Sequence, residues 1–169
     1  MSHLERQSVN RIRKNKREQK NESFNLNTVK KYLKSCRTYL GSICVNSFKN
    51  LLLKVEEYSL IVHCNYHWFC IYSTKTTFEI FDPKGVFTKL NYFKANFLNF
   101  IKCQMNGKSF YSNPRIQSDV SKKRGLYLIF FIRMRELGHS FCEIVRKFSK
   151  NFIKNDSLVN LFVNKMYSV

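Results

Sequence analysis

Acidic residues are scarce. Eleven Asp and Glu stand against 30 Lys and Arg, a formal net charge of +19. So large an excess makes a polyanion the first partner to consider: nucleic acid, then an anionic membrane surface. The plain alternative is general lysine decoration, because the excess is spread along the chain. Glycine and proline are also few, at 5 and 2, which excludes collagen-like and low-complexity chains. No apolar run approaches the roughly 18 residues of a membrane-spanning helix. The six cysteines form no CxxC and no paired metal spacing, so neither a zinc module nor a disulfide framework is expected. Without a recognisable signal peptide, reduced thiols in an intracellular or intraviral setting are expected.

Folding material is plentiful. Apolar residues make up 44% of the 169 and aromatics 15%, enough for one domain with a sizeable core. Residues 1–22, which include "RIRKNKREQKNE", carry little apolar content and read as a basic, disordered arm. Arg11, Arg13, Lys14, Lys16 and Arg17 are its candidate nucleic-acid contacts. The domain is expected over 23–169.

"NLNTVKKYLKSCRTYLG" has Leu26, Val29, Leu33 and Cys36 at helical spacing, with Asn27 or Thr28 as cap and Gly41 as terminator. Three short strands are expected around Leu60–Val62, Trp68–Tyr72 and Phe78–Phe81, followed by a "DPKG" turn. A helix follows through Leu90, Phe93, Phe97 and Phe100 or Ile101, then the extended "SFYSNPRIQ" with Pro114 marking an edge or a bend. "GLYLIFFIRMRELG" is long enough to favour a buried helix closed by Gly138. Ser140 and Glu143 stand in capping-box spacing, and Asn155 or Asp156 is expected to cap the last helix. The order defines an α+β domain.

Chemistry-capable residues occur at four places in a fixed order: His67–Trp68, Asp82, Gln117 and Arg124. If the strands bearing His67 and Asp82 are antiparallel neighbours, both residues reach one sheet edge. The carboxylate then accepts the imidazole Nδ1 proton and leaves Nε2 as base. Gln117 is a candidate oxyanion donor. A metal site of His63, His67 and Asp82 is conceivable but not expected.

The ordered set "HW…FDPKG…IQS…S--RGLY-IFF" resembles the adenain-like cysteine proteases. These are the maturation proteases of adenoviruses, Polinton (Maverick) transposons and adintoviruses; SUMO-specific proteases are more distantly similar. The resemblance covers roughly Ser59 to Val169, and "R--G-SF-EIV-KF…ND-LV--FV" looks more like the Polinton branch. It implies a papain-like or adenain-like fold: a small central mixed sheet flanked by helices, with a buried central helix starting near Gly125. It also implies His67 as general base, Asp82 as its orienting carboxylate, Gln117 as oxyanion donor and Trp68 as a packing residue beside the site.

Where that family has its nucleophilic cysteine before Gly125, this chain has Arg124. A guanidinium is no nucleophile, and an exposed cation at a helix N-terminus is disfavoured by about 0.3–1 kcal/mol. The resemblance therefore implies a pseudoprotease that binds a peptide, a precursor protein or nucleic acid without cleaving, and needs no cofactor. DNA is a further partner by the same resemblance, and a virion or host nucleus the implied location. Two alternatives stay open. One is an active endopeptidase for capsid-precursor maturation that uses another thiol; the other is a decaying copy with no selected function.

Overall fold

The three expected strands and the extended "SFYS" segment join one unexpected strand in a single five-stranded mixed sheet, with the strands side by side in chain order. The structure, a computed structural model, describes residues 26–48, 53, 55–64, 67–87 and 95–167. The basic arm, and residues 88–94 at the start of the second expected helix, lie outside them. Helix α1 spans 26–33. It is followed by β1 (Tyr39–Cys44), a 3-10 turn (Val45–Ser47), β2 (Tyr58–Cys64), β3 (His67–Ser73) and β4 (Thr77–Phe81). Then come α2 (Ala95–Met105), β5 (Ser109–Ser112), α3 (Arg124–Glu136), α4 (Phe141–Arg146) and α5 (Phe152–Tyr167). β1 and β2 are parallel, β2–β3 and β3–β4 antiparallel, and β4–β5 parallel.

β3 runs through the centre and is buried on both faces after His67. This explains its unbroken apolar run where a half-exposed strand would alternate with polar residues. Trp68, Cys70 and Tyr72 face one core with Phe81 of β4, the inner faces of α1 and α3, and residues of α4 and α5. Phe69 and Ile71 face the other, with Phe97, Phe100 and Ile101 of α2. α3 is the central helix. Tyr127 through Ile132 are all buried, as expected of a helix apolar nearly all round. Phe131 stacks on Phe81 with ring centroids 4.4 Å apart.

Two expectations need correcting. Gly41 does not end a helix; α1 stops at residue 33, and Gly41 lies inside β1 with φ of 124°. The β1 register slips between Tyr39 and Ser42, so a bulge hides the strand's period from the sequence. Asn155 and Asp156 do not cap α5. Asn151 does, its Oδ1 accepting the N–H groups of Ile153 and Lys154 at 3.0 and 3.2 Å. Asn155 and Asp156 sit within the helix and point inward. The Ser140–Glu143 capping box is present on α4.

Candidate functional site

The β3–β4 register pairs Cys70 with Phe81. One further step sets Asp82 opposite Phe69, with His67 two residues along on the same face. Diagonal neighbours of this kind lie within side-chain reach. His67 Nε2 stands 3.1 Å from Asp82 Oδ2, the imidazole one-fifth exposed and the carboxylate buried. The line between them is not along the Nε2–H direction, so the pair is a close approach and not a well-aligned hydrogen bond. Unliganded acid–base pairs commonly have such geometry. The expectation had assigned Nδ1 to the carboxylate. Nε2 faces it instead, and the ring stacks on Phe69 with centroids 5.9 Å apart.

Asp82 is fixed from all sides. Its carboxylate accepts backbone N–H groups of Lys84, Val86 and Phe87 at 3.0, 2.8 and 2.8 Å. Its own N–H donates to Asn113 Oδ1, and Asn113 Nδ2 donates back to the Asp82 carbonyl. The turn closes with Gly85 N–H donating to the Asp82 carbonyl at φ of 62°. A Cβ on Gly85 would meet the Arg115 backbone N at 2.7 Å, so the turn demands glycine for both φ and space.

The segment before α3 is tied to this turn. Ile116 and Gln117 both donate their backbone N–H to the Pro83 carbonyl. Gln117 is fully buried, and its side-chain amide is engaged within the loop. Nε2 donates to Ser121 Oγ at 3.1 Å, and the buried Oε1 accepts no hydrogen bond among the described residues. The amide braces the loop before α3. Ser121 Oγ passes the chain on, donating to the Asp156 carboxylate at 2.8 Å and accepting the Lys123 N–H at 3.3 Å. Tyr127 OH also donates to Asp156 Oδ1 at 2.8 Å. Burial first, then this carboxylate, push the Tyr127 phenol well above its ordinary range. Asn155 Nδ2 holds the Ile116 carbonyl at 2.8 Å. Sequence reading missed Ser121, Asn113, Tyr127 and Asp156; only Asp156 carried a signal, misread as a cap.

Arg124 is the first residue of α3, half-buried, and the first turn of the helix holds no acidic residue. Gly125 beside it is buried. Its Cβ position lies 2.7 Å from Val29 Cγ2 and 3.9 Å from Trp68 Cζ3. The start of α3 is thus wedged against α1 and against the residue that follows His67. Lys84, in the Asp82 turn, has its pKa lowered by burial first and then by Arg124, with Asp119 opposing and Arg115 adding to the effect. The two segments therefore share one electrostatic neighbourhood. Arg115 itself pairs with Asp119 at 2.7 Å.

Among the described residues no thiol takes the place of a nucleophile at α3. Cys36 is buried and its thiol is pushed up to about 11, chiefly by burial. Cys70 is wholly buried, its pKa raised well above the ordinary thiol value for the same reason. Cys103 and Cys142 are exposed on α2 and α4. Buried thiols of raised pKa are inert. Among the described residues no group of three His, Cys, Asp or Glu is placed to hold a metal ion, and no helix is long and apolar enough to cross a membrane.

No family model matches the chain, and no curated protein matches it. Among solved structures it is similar to the central domain of the uncharacterized Lpg1148 protein from Legionella pneumophila. The two are 13% identical, the match covers 76% of this chain and 85% of that one, and the TM-score is 0.47. So faint a likeness carries no weight for fold or chemistry.

Proposed function

We propose that the chain is an adenain-like cysteine-protease homologue of papain-like arrangement whose nucleophile position is held by Arg124, and that it binds without cleaving. The observation that supports this best is a His67–Asp82 pair 3.1 Å apart, in a chain whose buried helix opens on a guanidinium. A histidine with a buried, backbone-anchored carboxylate is the acid–base half of a thiol protease. The other half is missing, and no described thiol starts α3. What remains, on this reading, is a cationic site for a peptide or a precursor protein, with nucleic acid as a further partner through the chain's +19 charge.

The experiment is a peptidase assay of the purified chain beside an Arg124→Cys variant, with and without DNA. The parent is expected to give no turnover, and no cysteine in it is expected to label rapidly with an active-site thiol probe. Rapid labelling of one native cysteine that His67→Ala abolishes would overturn the proposal.

A further inference from the structure

α1 is two-faced. Val29 and Leu33 are buried against the core, while Lys30, Lys31 and Lys34 stand exposed on the other side. An open groove of about 710 Å³ lies between this lysine face and β1, with Tyr39, Gly41 and Ser42 on the strand side. β1 is the end strand of the sheet. At Gly41, φ is 124° and the Cβ position has nothing within 4 Å. Backbone is therefore laid open at the groove floor, as where a ligand approaches the chain closely. Besides three ammonium groups, the lining offers the Asn27 amide and the Ser42 hydroxyl. No carboxylate lines the groove among the described residues.

Two occupants have the right charge: an acidic peptide and a nucleic-acid strand. A peptide adding to the edge of β1 needs a regular ladder of free N–H and C=O groups. The register slip between Tyr39 and Ser42 breaks that ladder, and a bulge is one device by which edge strands refuse a further partner. A phosphodiester chain needs only charge, donors and an open floor. Residues 27 to 34 set these donors along about 10 Å of helix. Lys30 also lowers the pKa of His63 on β2, after burial, so its field reaches the second strand of the sheet.

We propose that the groove between α1 and β1 is a nucleic-acid site in which Lys30, Lys31 and Lys34 track a phosphodiester backbone. The site is formed by α1 and β1, not by the start of β3 and the turn after β4, which carry His67 and Asp82. The inference stands whether or not the peptidase reading does.

The test is anisotropy of a labelled single-stranded oligonucleotide with the full chain, basic arm included, titrated with sodium chloride. Three proteins are compared: the parent, Lys30→Gln/Lys31→Gln/Lys34→Gln, and a control that removes the same charge elsewhere, Lys147→Gln/Lys150→Gln/Lys154→Gln. Each lost phosphate contact lowers the log–log salt slope by about 0.7 on a single strand. The groove variant is expected to lose about 2 from the slope, and the control to keep the parent's. If the triple variant fails to fold, the three single substitutions are each expected to lose about 0.7. An unchanged slope in the groove variants overturns the site. An equal loss in the control reduces it to net charge. Polyglutamate that displaces the oligonucleotide as well as an unlabelled oligonucleotide of equal charge makes the groove an acidic-peptide surface instead.

Discussion

Gly125 and Val29 meet so closely that a methyl group added to the glycine would lie 2.7 Å from Val29 Cγ2. The second residue of α3 is a glycine because α1 crosses it. In an exposed helix Gly→Ala gains about 1 kcal/mol; here the overlap opposes it. Gly125→Ala is expected to destabilise the fold by about 1–3 kcal/mol, the usual cost of overpacking. Val29→Ala makes room, so the double variant should be more stable than the two single losses added together. Urea unfolding of all four proteins measures the coupling. Strict additivity would mean that α1 and α3 do not press on each other.

Asp82 gives a second prediction. Three backbone N–H groups converge on its buried carboxylate. Asp82→Ala leaves them without an acceptor, at about 1–3 kcal/mol for each group that stays dry. Asp82→Asn keeps one oxygen and should lose less. The expected order of urea midpoints is parent, Asn, Ala. If Ala equals the parent, the carboxylate serves His67 alone and the turn holds without it.

The residues that were legible in the sequence are those whose chemistry shows locally. The apolar runs of β2, β3 and β4 are dominated by β-branched and aromatic residues. α3 could be a strand by composition, and its length favours a buried helix. His67 and Asp82 were brought together on paper by assuming an antiparallel pair, and the register supplies it. What stayed hidden depends on partners distant in sequence. Asp156 looks like a helix cap until Ser121 and Tyr127, 35 and 29 residues away, are seen to donate to it. Gln117 shows no partner in the sequence; in the fold one of its two amide N–H groups goes to Ser121. β1 was lost because a bulged strand containing glycine has neither period 2 nor period 3.6.

A third prediction concerns Arg124→Cys. The new thiol would open α3, where the positive end of the macrodipole favours a thiolate, and His67 would be its base. Iodoacetamide should label this cysteine faster than any native thiol, and His67→Ala should slow it at least about tenfold, the low end of general-base effects being about a hundredfold. Asp82→Asn should slow it less, acting through the orientation of the ring. Labelling indifferent to His67 would place the imidazole outside reach of the start of α3, and the acid–base reading of the pair would fail.

The last prediction rests on a buried charge outside the site. Glu79 is almost wholly buried on β4, with Oε2 3.1 Å from Arg135 Nε on α3. Thr77 donates to its other oxygen at 3.2 Å, and the Arg135 guanidinium lies over the Tyr72 ring at 4.5 Å. Burial pushes the Glu79 carboxyl up to about 7, against the lowering effects of Arg135 and Thr77. The folded chain therefore holds this proton more tightly than the unfolded chain, whose ordinary value is 4.5. By linkage its contribution to stability is fully present below about 4.5 and is lost as pH climbs through about 7. A difference of that size corresponds to about 3 kcal/mol. Glu79→Gln cannot ionise. Its stability, set against the parent's by urea unfolding at each pH, should become relatively more favourable by up to about 3 kcal/mol between pH 4.5 and pH 8. The comparison is of slopes, because the amide also deprives Arg135 of its charge partner at every pH above 7. Parallel curves would mean that Arg135 keeps Glu79 ionised throughout, and that desolvation is fully offset by the pair.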